Sequence, residues 1–329
     1  MVATVVVASL GMVPAQAEAA GPDTRFTVIA TTQGPAKDDF DTFRQLYEKQ
    51  RKQYGGGPIG IRLFSPGLLP LPGDNNMPGK LLAWAVARHP DEAITVSHKT
   101  RDDARLRALL DWANTKHVRV SIIYFHEVQD NWAKHHDARA KPEVYLETYR
   151  AYRKIIQAHP ARPLITLEKN LMWFWQHYSV AKQGGDWRLF VEKKNDPADL
   201  VSWDTYVFPG MPTAQGRYAT PDEFFRYARD VWRETGKPWA VGEIGTTVQD
   251  GTGPCAEKNW DPKAEKFTAW VKVITAAASN PSTIGPEYRG MPAALFMKWW
   301  AGPDANACDQ SLDQAPAAVA FYRGLMPLP

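Results

Sequence analysis

Two glutamates stand where a carboxylate is expensive, at the ends of hydrophobic runs. SIIYFHEVQDNW carries His126 and Glu127 directly after Val118–Phe125, and KPWAVGEIG carries Glu243. A charged Glu taken out of water without a partner is strongly unfavourable, so both positions call for a chemical reason. Two carboxylates converging on one cleft divide the work of glycosidic cleavage. One protonates the leaving oxygen while the other attacks the anomeric carbon or activates water. Other chemistry fits less well. The HExxD pattern from His126 to Asp130 lacks the second histidine one helical turn on that a zinc protease needs, and it sits on a strand. His135-His136-Asp137 reads as a solvated loop, so no metal site is expected. G-x-S-x-G, phosphate-loop and dinucleotide patterns are absent, so no cofactor is expected.

Aromatic residues accompany the carboxylates. The chain has 13 Trp, and Trp132, Trp173, Trp175, Trp260, Trp299 and Trp300 fall at or after strand ends. A flat aromatic face suits the C–H face of a sugar and tolerates one wet edge. Trp84, Trp112, Trp232 and Trp270 lie on helical stripes, where core packing accounts for them.

Something must hold these side chains on one face. Strand-like and helix-like segments alternate from RFTVIA (Arg25–Ala30) through PIGIRLF (Pro58–Phe64), AITVS (Ala93–Ser97), the Glu127 strand and RPLITLE (Arg162–Glu168). They continue through DLVSWDTYVF (Asp199–Phe208) and PWAVGEIG (Pro238–Gly245) to AALFMKWW (Ala293–Trp300). The helix after the sixth strand is punctuated by a Thr220/Glu223 capping box, Pro221 at its first position and Gly236 past its end. Eight strand candidates, each followed by a helix, predict α/β architecture with a parallel sheet, as a single closed (β/α)8 TIM barrel; an open doubly wound sheet is the alternative. The segments after strands are long (65–79, 128–142, 170–186, 209–219, 246–261, 301–313), whereas most segments before strands are short. Barrel enzymes build their sites on the loops that follow strands. Glu127 then ends strand four and Glu243 ends strand seven, both at the barrel mouth.

In this arrangement the chain resembles the clan A retaining glycoside hydrolases, which carry glutamates at the ends of strands four and seven. HE at Glu127 with Trp132 downstream looks most like glycoside hydrolase family 26, whose members include β-mannanases. The resemblance implies that Glu127 is the acid/base and Glu243 the nucleophile. It also implies that Tyr206 of SWDTY contacts the nucleophile, that Arg62 of IGIRLF is the strand-two arginine, and that FMKWW places a tryptophan under the sugar. The expected substrate-binding residues are thus Arg62, His126, Trp132, Trp173, Tyr206, Trp299 and Trp300. The implied substrate is a polysaccharide, with β-mannan first and xylan, β-1,3-glucan or a cell-wall glycan as alternatives. A rival of another class is a non-catalytic carbohydrate-binding barrel.

The remaining features set the context. Lys+Arg 39 against Asp+Glu 36 leaves +3 over 329 residues, too balanced for a nucleic-acid partner. Residues 1–20 are apolar, then small, and Ala15-Gln16-Ala17 fits a signal cleavage site. Export is therefore expected, with residues 21–329 as one catalytic domain. The initial run is shorter than the roughly 18 apolar residues a membrane span needs. The two cysteines, Cys255 and Cys308, fall in the loops after strands seven and eight and are expected to form a disulfide; two unrelated thiols are the alternative. A monomer is expected.

Overall fold

The computed structural model describes residues 25–31, 39–57, 59–88, 94–173, 176, 184–206, 217–246, 261, 263–300 and 312–326. The expected signal segment and the Cys255–Cys308 pair lie outside the described residues, as do Trp175 and Trp260.

Eight parallel strands close into a barrel in sequence order. They are β1 (Arg25–Thr31), β2 (Gly60–Leu68), β3 (Ile94–Thr100), β4 (Val120–Tyr124), β5 (Ile165–Met172), β6 (Leu200–Tyr206), β7 (Trp239–Gly245) and β8 (Phe296–Trp300). Pairing of Val28 with Trp299 between β1 and β8 closes the ring. The α-helices bounded within the described residues are α1 (Phe40–Gln53), α2 (Met77–Arg88), α3 (Asp103–Lys116), α4 (Val128–His135), α5 (Pro142–Gln157), α6 (Pro221–Thr235), α7 (Glu265–Ser279) and α8 (Pro316–Arg323). Among the described residues, none is long and apolar enough to cross a membrane.

Local chemistry explains the boundaries. Thr220 and Glu223 form the expected reciprocal cap on α6, and Gly236 ends it in the left-handed region at φ 67°. Asp102 caps α3 by accepting from the Ala104 and Arg105 backbone N–H groups. Pro163 supplies no ladder N–H, so 162–164 form a 3-10 turn and β5 begins at Ile165. That start is three residues later than the sequence pattern indicates, and the strand runs on to Met172. β3 likewise continues past Ser97 to Thr100. The expected irregular segment after β4 instead opens with a helix, α4. Between β5 and β6 the described residues form two short 3-10 helices, Trp187–Leu189 and Lys193–Asn195.

Both faces of the strands are buried, but they differ in kind. Outward residues such as Val28, Leu63, Val96, Ile122, Leu167, Val241 and Met297 form the apolar layer under the helices. Lys169 also points outward, pairs with Asp196 at 2.5 Å and lies over the Tyr145 and Tyr149 rings of α5. Inward residues are largely polar. Glu168 accepts from Ser121 and Ser202, both at 2.5 Å, and Lys298 donates to Thr95 at 2.9 Å. The barrel interior is therefore a hydrogen-bonded platform leading up to the mouth.

Candidate active site

Glu243 is the centre of that platform. It is 5% exposed, and its Oε1 lies 2.8 Å from Arg62 Nη1. Its Oε2 accepts from the Tyr206 hydroxyl, which in turn accepts from the Trp300 indole N–H. Arg62 is clamped from the other side. It donates from Nη1 and Nη2 to the two Asp204 oxygens at 3.0 and 3.2 Å, and from Nη2 to Asn170 Oδ1 at 2.9 Å. Asn170 Nδ2 donates to Asp204 at 2.8 Å and to Ser202 at 3.0 Å. One guanidinium thus serves two carboxylates, and each neighbour in the ring is itself held.

A backbone irregularity makes room for this. The β6–β7 register shifts between Trp203 and Asp204, and the β7–β8 register between Val241 and Ile244, which marks a bulge at Gly242 and Glu243. A Cβ on Gly242 would stand 2.8 Å from Asn170 Nδ2, 2.9 Å from Asp204 Oδ1 and 3.2 Å from Ser202 Oγ. Glycine is therefore required here by the close approach of the polar ring to the backbone.

Glu127 arrives differently. β4 stops at Tyr124, and both Phe125 (φ 59°) and Glu127 (φ 56°) take the left-handed conformation. For a bulky residue such as Phe125 this is a true outlier. The surroundings compensate: the Phe125 N–H donates to His98 O at 2.6 Å, and the Glu127 carbonyl accepts from both the backbone and the side-chain amide of Asn131. Strain of this kind collects at functional sites. The double turn swings Glu127 onto the rim as the N-cap of α4.

The electrostatics separate the ionisable groups. Glu127 is exposed as a residue, but partial desolvation of its carboxyl at the rim raises it above its usual range, opposed chiefly by Lys99. Burial also pushes Glu243 up, opposed by Arg62 and reinforced by Asp204; the charge of Glu127 acts in the same upward direction, so the two carboxylates sense each other. Burial alone would pull Arg62 down, but Asp204 and Glu243 outweigh it and hold the guanidinium above its ordinary value. His126 is kept neutral by burial and by the nearby cations Lys99 and Arg62. Its Nδ1 is 2.8 Å from Ser97 Oγ, and its ring meets Phe64 edge-on.

The structure thus brings together Glu127, Glu243, Arg62, His126, Tyr206 and Trp300 at the C-terminal mouth. It does not bring Trp299 or Trp173 there. Trp299, 0% exposed, packs against Phe267 and Trp270 of α7 and Tyr322 of α8. Adjacent strand residues face opposite ways, so the WW pair divides, with Trp300 inward and Trp299 outward. Trp173, 1% exposed, donates its indole N–H to Glu223 O at 3.0 Å and packs on Tyr227 of α6. Trp132 is half-buried on α4, edge-on to His136. His135 and His136 are exposed and Asp137 pairs with Arg139. Among the described residues, no group of three or more His, Cys, Asp or Glu is placed to hold a metal ion.

The sequence reading missed Asp204, Asn170, Glu168, Ser202 and Lys298. In β6, Ser202 and Asp204 alternate with the apolar Val201 and Trp203, and in β8 Lys298 is a lone polar residue in FMKWW, so a signal for these three was available; in β5, Lys169 between Glu168 and Asn170 hid it.

No known family model matches the chain, and no curated protein matches it. Among solved structures it is similar to a fungal β-1,4-galactanase, at 11% identity over 91% of this chain and 99% of that one, with TM-score 0.50. It is also similar to the modular endo-β-1,4-mannanase of Cellulomonas fimi, from glycoside hydrolase family 26, at 16% identity, 88% and 66% coverage and TM-score 0.47. The chain spans just under two thirds of that mannanase's length. A further similar structure is the family 26 domain of a Prevotella bryantii endo-β-mannanase/endo-β-glucanase, at 11% identity, 93% and 89% coverage and TM-score 0.46. These structural neighbours are glycoside hydrolases. At such identities the likeness shows the fold, and the galactanase match carries that point.

Proposed function

We propose that the protein is a glycoside hydrolase that cleaves a polysaccharide with retention of anomeric configuration. The observation that carries this reading is the setting of Glu243. It is a buried carboxylate gripped by Arg62 and Tyr206, at the same mouth as a second carboxylate, Glu127, whose affinity for a proton is raised by desolvation. In the first step Glu243 attacks the anomeric carbon as the bond to the leaving oxygen breaks, and Glu127 gives that oxygen its proton. Arg62 and Tyr206 keep Glu243 oriented and favour its ionised form while it waits. In the second step Glu127, now a carboxylate, takes a proton from water. The resulting oxygen nucleophile displaces Glu243 and restores both groups. Trp300, tied to Tyr206, offers its ring beside the reacting sugar, and His126 offers a neutral imidazole. β-Mannan is the first candidate, with xylan, β-1,3-glucan and cell-wall glycans next. Export belongs with this reading, because such polymers lie outside the cell.

Two variants test it on an aryl glycoside with a good leaving group. Glu243→Gln abolishes formation of the covalent intermediate. Glu127→Gln spares the first step, accumulates the intermediate and is rescued by azide, with a glycosyl azide of retained configuration as product. Equal loss in both variants without azide rescue rejects the assigned roles. An inverted product rejects retention. A panel of the named polysaccharides, with product analysis, then assigns the sugar.

A further inference from the structure

The extension of β3 beyond Ser97 carries a cation to the mouth. His98 turns outward and stacks on Tyr152 of α5, so by the strand's period of two Lys99 turns inward. Lys99 is half-buried. Its Nζ lies 3.4 Å from Asn131 Oδ1 and over the Phe125 ring, 5.4 Å from the centroid. Neighbouring cations are already matched: Arg62 with Asp204 and Glu243, Arg139 with Asp137 at 2.8 Å, and Lys134 with Asp130 at 2.7 Å. Lys99 has no carboxylate oxygen within 4.0 Å among the described residues. An ammonium drawn partly out of water on an aromatic ring and an amide oxygen lacks the counterion that such burial calls for.

Its strongest charge interaction is with Glu127, then with Asp137, opposed by Arg139, and with Asp130. Glu127 is unsuited to be its counterion, because the acid/base carries a proton when cleavage begins. Asp137 and Asp130 are engaged elsewhere. The unfilled position therefore faces the space beside the acid/base, where the leaving group sits.

We propose that Lys99 receives an anionic group of the substrate, a uronate carboxylate or a sulfate ester, on a sugar at the leaving-group side of the scissile bond. The proposal rests on the glycosidase reading for its catalytic meaning, and makes that substrate an acidic glycan. It also explains why a cation is tolerated beside a general acid. Empty, Lys99 pulls on the Glu127 proton; matched by a substrate anion, it no longer does, and the acid keeps its proton to higher pH. Among the described residues, the other groups facing this locus are His126, held neutral, Arg62, held by its two carboxylates, and Asp204, one of those carboxylates, which also acts on Glu127. The anion thus changes the local charge on binding.

Two experiments decide this. In the first, calorimetric titration of the wild-type protein with glucuronate, glucose 6-sulfate and glucose should show saturable binding of one or both anions and not of glucose. Lys99→Met should abolish that binding and Lys99→Arg should keep it. Whether glucuronate or the sulfate binds identifies the source of the charge, and failure of both to bind overturns the proposal. In the second, a uronic-acid-bearing β-glycan is compared with the same polymer after reduction of its carboxylates to alcohols. Wild type should prefer the charged polymer by roughly 10- to 100-fold in kcat/KM, the range of one hydrogen bond to a charged group. Lys99→Met should erase the preference while still cleaving the reduced polymer. An equal preference in wild type and Lys99→Met overturns the proposal. Loss of all Glu243-dependent turnover on both polymers counts instead against the glycosidase reading, and the titration then still decides whether Lys99 holds an anion.

Discussion

Gly242→Ala tests whether the polar ring beneath Glu243 sets its geometry. The new methyl would meet Asn170 Nδ2 at 2.8 Å and Asp204 Oδ1 at 2.9 Å, where ordinary contact needs roughly 0.5 Å more. Neither neighbour is a free end of a flexible chain. Asn170 is held by Arg62, Ser202 and Asp204, and Asp204 by Arg62 and Asn170. Relief therefore moves the two groups that aim Arg62, and with them its 2.8 Å contact to Glu243. Overpacking of this size costs about 1–3 kcal/mol of stability, which a domain of this size should survive folded. Misplacement of a reacting group on the ångström scale costs on the order of 100-fold in rate. The expected result is a melting temperature lowered by a few degrees, native circular dichroism, and kcat down about 10- to 100-fold with little change in KM. A loosened Arg62 contact should also raise the Glu243 pKa further, readable from its carboxyl carbon by NMR without any substrate. Wild-type kcat and an unmoved Glu243 titration in a folded Gly242→Ala protein would refute the view that this ring positions the nucleophile.

Three further outcomes follow from the same structure. On the proposed roles, activity requires Glu243 ionised and Glu127 protonated, and desolvation raises both carboxyls. Both limbs of the pH–rate profile should therefore lie above about pH 4, where solvated carboxylates titrate; Asp204→Asn should move the acid limb down, and a limb near pH 4 that ignores this change contradicts the assignment. Burial holds His98 neutral in the folded state, with its pKa pushed down to about 4, against about 6.5 unfolded. The unfolded chain thus binds the extra proton, so this contribution, up to about 3 kcal/mol, is present above pH 6.5 and lost as pH falls toward 4; urea melts of His98→Phe should show a shallower loss over that range. Trp299→Ala should cost about 3–5 kcal/mol as a core truncation, whereas Trp300→Phe, which removes the hydrogen bond to Tyr206, should lower turnover more than melting temperature; the reverse order would exchange their assigned faces.

Much of this molecule is local and so is written in the chain. The alternation of strands and helices, the Thr220/Glu223 cap with Pro221 and Gly236, and long segments after strands all depend on neighbours within a few residues. They suffice for a barrel with Glu127 and Glu243 at its mouth; Arg62 and Tyr206 are expected there only from the resemblance to clan A enzymes. Tertiary structure decided which way most strand residues face. In a half-exposed sheet, hydropathy marks the inner face. Here both faces are buried, so WW at 299–300 and LEKN at 167–170 carry no outward sign of parity, and the continuation of β5 to Met172 turns Glu168 from a strand end into a core residue. The left-handed turns at Phe125 and Glu127 are likewise invisible in sequence, because Phe disfavours that conformation and only its surroundings hold it there. Gly242 is the sharpest case. Nothing beside it in the chain requires a glycine; the requirement comes from Asn170 and Asp204, which closure of the barrel brings against its Cα.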